Sequence, residues 1–419
     1  MLSPQGARGH EGRKHMWPGR QGFGGRPTAA SCVSLVALAN AVTGSVGDPY
    51  ATLDFGEVMT NRCSDFDLSG MANARNCGAP LSSPCFDFSR CRDGPTVYVY
   101  DQECSLADSD KIDSRGLHNG VRHAAHEKGV LAETYESACF FISVDRRESQ
   151  CATTAPLWNE GRNHVMFDLF DESRDKRPSY SGSYAIEAAT SQHTCYYRSG
   201  YDISVPHCPQ VVSHELHTVP PDHRRYFLTF RGTLHLKFHG SEERSSVLGL
   251  HDESQGVIVA EKCVEGDSRW RREAAESCDA LLPRYNAYDY QDLMNSTFGL
   301  VPAGASPGTY RLGEASGNSH LLARVISAGS IPVIVARDYV KPFSEEVDWS
   351  EFSFTFSPDE VPDILRTLRS VPPGELKKMQ EKALEAYWKI YGRKIYGGKG
   401  YCTIIDHVIE IMVRRIGHH

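Results

Sequence analysis

The stretch that most constrains what this chain can fold into runs from Ser296 to Phe356. It reads STFGLVPAGASPGTYRLGEASGNSHLLARVISAGSIPVIVARDYVKPFSEEVDWSEFSFTF. Two short apolar, β-rich runs, Thr297–Val301 and Ile331–Val335, enclose a Gly/Ser/Pro loop and a helix-like segment, and polar segments follow. Short apolar runs bounded by turn residues read as buried strands, and strands alternating with helices read as an α/β unit on a parallel sheet. Ligands of such sheets collect at the carboxyl ends of the strands, where helix N-termini present unpaired backbone N–H groups. The loop Pro302–Thr309 and the helix start near Tyr310 are the expected seat of an anionic ligand.

A chain of 419 residues exceeds one ordinary core, and two domains are expected. Its formal charge of −8 argues against nucleic acid as the main partner, because phosphate backbones need a basic footprint. Thirteen cysteines are many, and Cys63, Cys77, Cys85, Cys91 and Cys104 crowd one region. Such crowding points to disulfides and an oxidising compartment, and the absence of a CxxC pair weakens a zinc reading. Arg8, Arg13, Lys14, Arg20 and Arg26 precede an apolar run, Ala29–Val42, that contains the small-residue site Ala39-Asn40-Ala41. That run is shorter than the roughly 20 residues of a membrane span, so a cleaved signal peptide is favoured over a short anchor. Residues 1–50 are set aside as targeting and linker material, and the sequon Asn295-Ser296-Thr297 agrees with a secretory route.

Taken in order, Thr96–Tyr100 (TVYVY) alternates in β-branched and aromatic residues and reads as a first strand. Together with the preceding residues it forms CFDFSRCRDGPTVYVYD, Cys85–Asp101, which resembles the entry to the catalytic domain of the exostosin family of glycosyltransferases (glycosyltransferase family 47). Thr134–Asp145, read as a helix end and then a buried strand, Pro156–Phe170, and Tyr197-Arg198-Ser199-Gly200-Tyr201-Asp202 continue the likeness in the same order. Arg225–Gly232 (RYFLTFRG) is similar to the family's Y-F-L-T-F-K-G run, the first strand of a second α/β unit. Tyr290–Leu293 and the opening stretch extend the resemblance, which covers about residues 77 to 390. Amphipathic spacing over Glu375–Tyr391 and Thr403–Ile416 reads as two packing helices.

The resemblance implies an α/β fold of two facing Rossmann-like domains, the GT-B type, with the active site in the cleft between them. Residues 51–220 would form an N-terminal acceptor-side domain with a Cys-rich entry, and 221–419 a C-terminal nucleotide-sugar-binding domain. The paired prolines of Val219-Pro220-Pro221 place the boundary. It further implies an inverting transferase of the glucuronyltransferase type, which moves a sugar from a UDP-sugar to a polysaccharide or glycoprotein glycan in the Golgi or ER lumen. The UDP-sugar is a substrate, no cofactor is held tightly, and no metal is required. The alternative is a catalytically inactive exostosin-like subunit that stabilises an active glycosyltransferase partner.

A diphosphate wants backbone N–H groups and a cation, and ribose hydroxyls want a carboxylate. Gly304 and Gly308 in the loop, with Arg311 and Glu314 one turn apart on a helix face, offer these groups. The likeness of GTYRLGEA to the family's G-S-F-R-F-L-E-A assigns Arg311 to diphosphate and Glu314 to ribose. Arg231 is a second diphosphate cation by the same likeness, and Asp338 fits the family's D-x-x-x-P-F loop. The sequence departs from the pattern at Ser316–Val325, which interrupts the family spacing and can shift Arg324 to where the carboxylate is expected. Gly299 and Ser330 stand at two family cysteine positions. An inverting transfer needs a general base, and His164 or Asp168 is the candidate, with a structural role for His164 as the alternative. Asp108-Ser109-Asp110 mimics a metal-binding triplet but reads as solvent-exposed loop.

Overall fold

Five short strands, β1 (Val97–Val99), β2 (Phe140–Ser143), β3 (His164–Asp168), β4 (Ile186–Ala189) and β5 (Ile203–Ser204), lie side by side in chain order. Every pair is parallel. These are the aromatic and β-branched runs of the first half, and β2 is buried along its whole length as strands covered on both faces must be. The computed structural model describes residues 74–100, 114–144, 151–168, 183–190, 192–206, 214–235, 241–264, 273–303, 321–396 and 399–417. The expected leader and linker of residues 1–50 and Asp108-Ser109-Asp110 lie outside them. Helices α1 (Ser114–Glu127) and α2 (Cys151–Thr154) accompany this sheet. The helix end expected near Thr134 is a correction: Gly129, at φ +66°, closes α1 as a left-handed cap, and residues 133–137 form bends and turns before β2.

The second sheet contains β6 (Tyr226–His235), β7 (Val257–Val264), β8 (Ser296–Pro302), β9 (Ile331–Val335) and β10 (Phe354–Phe356), all parallel, in the order β10-β9-β8-β6-β7. Its connecting helices are α3 (Ser241–Val247), α4 (Glu273–Ala287), α5 (Tyr290–Leu293), α6 (Leu321–Ser327) and α7 (Ile364–Arg369). The three strands expected at Arg225–Gly232, Thr297–Val301 and Ile331–Val335 are β6, β8 and β9. Helix α8 (Pro373–Tyr391) buries Met379, Ala383, Tyr387 and Ile390, and α9 (Ile404–Gly417) buries Ile404, Ile405, Val408, Ile409 and Met412. Between them β11 (Arg393–Tyr396) and β12 (Lys399–Cys402) make an antiparallel hairpin. The two parallel sheets with their helices are the α/β architecture of two Rossmann-like units.

Disulfides Cys77–Cys85 and Cys91–Cys139 anchor the Cys-rich entry, the second of them at the start of β2, and Cys263–Cys278 ties β7 to α4. Of the crowded cysteines, Cys63 and Cys104 lie outside the described residues.

The two sheets meet in main-chain hydrogen bonds. Val340 N–H donates to the Gln192 carbonyl (3.0 Å), Thr194 N–H to that of Asp338 (2.9 Å), and Phe343 N–H to that of Ser204 (2.8 Å). His193 and Tyr339 form an antiparallel bridge there. The last helix returns to the first sheet: Arg415 on α9 donates to the Tyr201 carbonyl (2.7 Å) and pairs with Glu345 (2.8 Å). Lys128, just past α1, pairs with Glu410 on α9. Between the sheets, the buried Arg224 guanidinium donates to the carbonyls of Leu216, Val219 and Ala328, pinning the chain just before β6 to the turn before β9.

Candidate functional site

The order β10-β9-β8-β6-β7 contains a reversal: from β6 the chain goes to one edge for β7 and then returns to β6's other side for β8. A crevice opens at such a switch point, outside the carboxyl ends of the strands, because the connections on either side leave toward opposite faces. The register agrees. β6 pairs with β8 at Tyr226–Ser296, Leu228–Phe298 and Thr229–Gly299, while the two strands run on to His235 and Pro302 without further pairs. Arg231 lies just past the last pair. Its guanidinium stacks on Tyr285 of α4 with 3.7 Å to the ring centre, and its Nε donates to the Tyr285 carbonyl (3.3 Å). Lys262 reaches the same ring at 5.0 Å. Two cations thus lie near one aromatic ring, an arrangement in which ring and charge attract.

Gly304, Gly308, Arg311 and Glu314 lie in the connection that leaves β8 and outside the described residues. The helix that follows is described. Leu321, Leu322, Ala323, Val325 and Ile326 of α6 are buried, so part of the segment that interrupts the family spacing is core. A Cβ on Gly299 of β8 would meet the Val325 side chain at 2.4 Å, which shows how closely α6 packs on the strand. Arg324 stacks on Tyr290 (4.1 Å), and its Nε is buried with no hydrogen-bond partner among the described residues. Ser330, at a family cysteine position, donates to the Ser296 carbonyl (2.7 Å). Asp338 is exposed at φ +57° in the loop beyond β9, at the seam between the sheets, and its backbone carbonyl takes the bond from Thr194.

A buried charged cluster on the second sheet was not anticipated from sequence. Glu242, Glu243 and Arg244 of α3 are each less than 5% exposed, and Glu261 of β7 is completely buried. The Arg244 guanidinium donates to the Thr233 carbonyl on β6. Arg337, after β9, reaches Glu242 (3.5 Å) and Asp359 (3.0 Å). Burial pushes the Glu261 carboxyl up to about 8, against the pull of the Arg244 guanidinium, and neither of its oxygens has a hydrogen-bond partner among the described residues. Charged side chains are rarely fully buried without pairing. The one sequence signal available was the acidic first turn Ser241-Glu242-Glu243, which marks a helix start and nothing more.

On the first sheet the two base candidates are separated. His164 opens β3 and Asp168 closes it, about 13 Å apart along an extended strand. His164 is fully buried, stacked on Phe141 (4.6 Å) and edge-on to Trp158 (4.7 Å). Its Nδ1 lies 2.8 Å from the Arg162 carbonyl and therefore carries the proton, so Nε2 accepts from the Tyr100 hydroxyl at 2.8 Å. Burial lowers its pKa to about 4. Both ring nitrogens are used and the imidazole is fully buried at the amino end of the strand, a geometry that suits the structural alternative for His164. Asp168 ends β3 at the carboxyl edge of the sheet, the edge on which ligands bind. Asn163 beside His164 is also structural: at φ +63°, its amide donates to the carbonyls of Asp87 (2.9 Å) and Cys139 (2.7 Å).

Two all-parallel sheets, one doubly wound with a switch-point crevice, define the class of protein. The Exostosin GT47 domain profile matches residues 118–371, more than half of the chain, and the chain belongs to the exostosin family. Exostosin-1 of Drosophila melanogaster is 28% identical over 335 residues, covering 73% of this chain and 42% of the fly protein. Exostosin-2 of Mus musculus is 28% identical over 337 residues, covering 74% and 44%. The exostosin-1 homolog of Caenorhabditis elegans is 24% identical over 368 residues, covering 80% and 89%. The chain thus spans less than half the length of the fly and mouse relatives. Among solved structures, AviGT4, a glycosyltransferase involved in avilamycin A biosynthesis, aligns with a TM-score of 0.35 and 13% identity over 77% of this chain and 98% of that one. WaaG, a glycosyltransferase of lipopolysaccharide biosynthesis, does so with 0.31 and 12% over 73% and 85%. Likenesses so loose add nothing to the strand order itself.

Proposed function

We propose that this chain is an inverting glycosyltransferase of the secretory pathway, acting in the Golgi or ER lumen. It takes a sugar, glucuronate among the candidates, from a UDP-sugar to a hydroxyl of a polysaccharide or glycoprotein glycan. The observation that supports the reading is the reversal of strand order between β6 and β8, with Arg231 just past their last pair, in a chain that belongs to the exostosin family. In this reading the donor diphosphate lies across the carboxyl ends of β6 and β8. Arg231 and Arg311 offset its charge, the backbone around Gly304 and Gly308 approaches it, and Glu314 takes the ribose hydroxyls. Asp338 borders the cleft between 51–220 and 221–419. The acceptor hydroxyl attacks the anomeric carbon from the face opposite the diphosphate, Asp168 takes its proton, and UDP departs as the new glycosidic bond forms. No resident cofactor or metal ion enters this scheme.

A second reading has its own support. If the inserted residues shift the family register, Arg324 of α6 stands where the likeness expects a carboxylate, and the chain is then an inactive exostosin-like subunit that supports an active partner. Incubation of the purified full chain with a panel of UDP-sugars and oligosaccharide acceptors, with released UDP and extended glycan both measured, separates the two. The enzyme reading expects UDP and extended product from at least one donor. UDP binding without turnover favours the subunit, and neither binding nor turnover sinks the enzyme.

A further inference from the structure

The sequon Asn295-Ser296-Thr297 has a place in the fold that its sequence does not suggest. Such triplets belong on surface loops. Ser296 and Thr297 instead open β8, a central strand that pairs with β6 from Tyr226–Ser296 onward and with β9 from Phe298–Ile331 onward. The Thr297 hydroxyl is buried and donates to the Pro221 carbonyl (2.7 Å). Asn295 stands one residue before the strand. Its N–H donates to the Asp292 carbonyl (3.1 Å), and its carbonyl accepts from the Tyr226 N–H (3.1 Å). Its side chain is less engaged: the residue is half-buried, Oδ1 accepts a long bond from the Arg225 N–H (3.4 Å), and Nδ2 donates no hydrogen bond among the described residues.

The rim around Asn295 is polar and exposed. Arg225 pairs with Asp292 (2.8 Å), and Arg225 and Gln291 are both exposed. All of them lie at the amino end of the second sheet, while the switch-point crevice lies outside the carboxyl ends of its strands. A bulky hydrophilic group on Nδ2 therefore starts among solvated side chains, away from the candidate site. Thr297 has no such room. A sequon needs a hydroxyl two residues after the asparagine, and here that hydroxyl is enclosed against the turn Pro221–His223 once β8 has joined the sheet. A hydroxyl so buried, on a strand paired along both edges, cannot enter the peptide groove of a modifying enzyme.

We propose that Asn295 is an N-glycan acceptor that is used only before β8 pairs with β6 and β9. In the transfer, Nδ2 attacks the anomeric carbon of a lipid-diphosphate oligosaccharide. A C–N bond forms as the C–O bond to the diphosphate breaks, Nδ2 gives up one proton, and the lipid diphosphate leaves with the electron pair. Folding then buries Thr297, so a chain that folds without the glycan stays without it. The inference rests on the secretory reading for the meeting of chain and transferase, and on the geometry of β8 for the order of events.

The full chain is expressed in a glycosylating eukaryotic host, once as it stands and once behind the host's own secretion signal, alongside Asn295→Gln and Thr297→Val. Occupancy is read by glycan release with peptide N-glycosidase in heavy-oxygen water and peptide mass mapping. A second arm takes the full chain made with glycosylation blocked and offers it, folded or denatured and alkylated, to solubilised oligosaccharyltransferase with lipid-linked oligosaccharide. The expected result is isotope-marked aspartate at position 295 in the secreted chain and none in either variant, with the folded chain of the second arm modified at least about tenfold less than the denatured one. A bare Asn295 behind the host signal overturns the acceptor, as does a denatured chain that takes no glycan. Equal modification of the folded and denatured chains overturns the order of events. A glycan found only behind the host signal means that the secretory reading fails while the acceptor stands.

Discussion

At the scale of single residues, burial decides what a titratable group can do. His164 shows the sign clearly. Its folded pKa of about 4 lies below the ordinary 6.5, so the unfolded chain takes up the proton first as pH falls. The stabilisation is complete above pH 6.5 and is lost between there and pH 4, a change on the order of 3 kcal/mol. A His164→Gln variant, which can keep a donor and an acceptor in place, is expected to show a flatter fall in melting temperature over that window. An unchanged slope would mean that another group titrates there. Glu261 runs the other way. Its carboxyl is raised from 4.5 to about 8, so the unfolded chain ionises first as pH rises and stability drains between those values, at ~1.4 kcal/mol per pH unit at most. Glu261→Gln should therefore melt higher than the unmodified chain at pH 8, with the gain vanishing near pH 5. Chemical-denaturant titrations at the two pH values check this, and a gain that is the same at both would refute burial as the cause. The sequence could not reveal either residue's state. His164 read as a polar member of an apolar run, and only the third dimension brings Tyr100, Phe141 and Trp158 around it.

At the scale of elements, the strands and a helix-like segment before β9 were legible, but the place of the inserted residues in that helix was not. Runs such as TVYVY and IPVIV carry their own signal, since a strand buried on both faces must be continuously apolar. The segment SGNSHLLARV, by contrast, read as an interruption, because the family spacing is restored when it is removed. The structure puts LLARV inside α6 and seats Val325 on Gly299. Helical periodicity over so few residues is too short to decide between loop and helix, and the small residue across from Val325 sits on the preceding strand, beyond a long connection. This packing is testable. Gly299→Ala should cost about 1–3 kcal/mol by crowding Val325, and the double variant with Val325→Ala should recover most of that loss. Additive losses in a thermodynamic cycle would show that α6 does not lie on β8 at this point. The charged cluster of α3 was hidden for a similar reason, as a run of Glu, Glu and Arg looks like a solvated helix start until β6 and β7 are seen to enclose it.

At the scale of the whole molecule, the two sheets are joined by main-chain bonds at one seam and by the returning α9 at another place. Pro220 and Pro221 lie between β5 and β6, while nothing local in Thr403–Ile416 told that its helix would pack near α1. The return of α9 is non-local, and beyond the Lys128–Glu410 pair it uses Arg415, whose guanidinium binds Glu345 and the Tyr201 carbonyl. Arg415→Met keeps the apolar stem and removes the bonds. Hydrogen exchange is expected to speed up in α9 and around Tyr201 together, and acceleration in only one of the two would contradict the strap. The central claim concerns the switch point between β6 and β8. Its most direct test is calorimetric titration of UDP into the full chain and into Arg231→Met, with melting temperature held as a control. Saturable binding by the unmodified chain, weakened at least about tenfold in an equally stable variant, is the predicted result. No binding by the unmodified chain, or equal affinity in the two, would contradict a nucleotide site at this switch point.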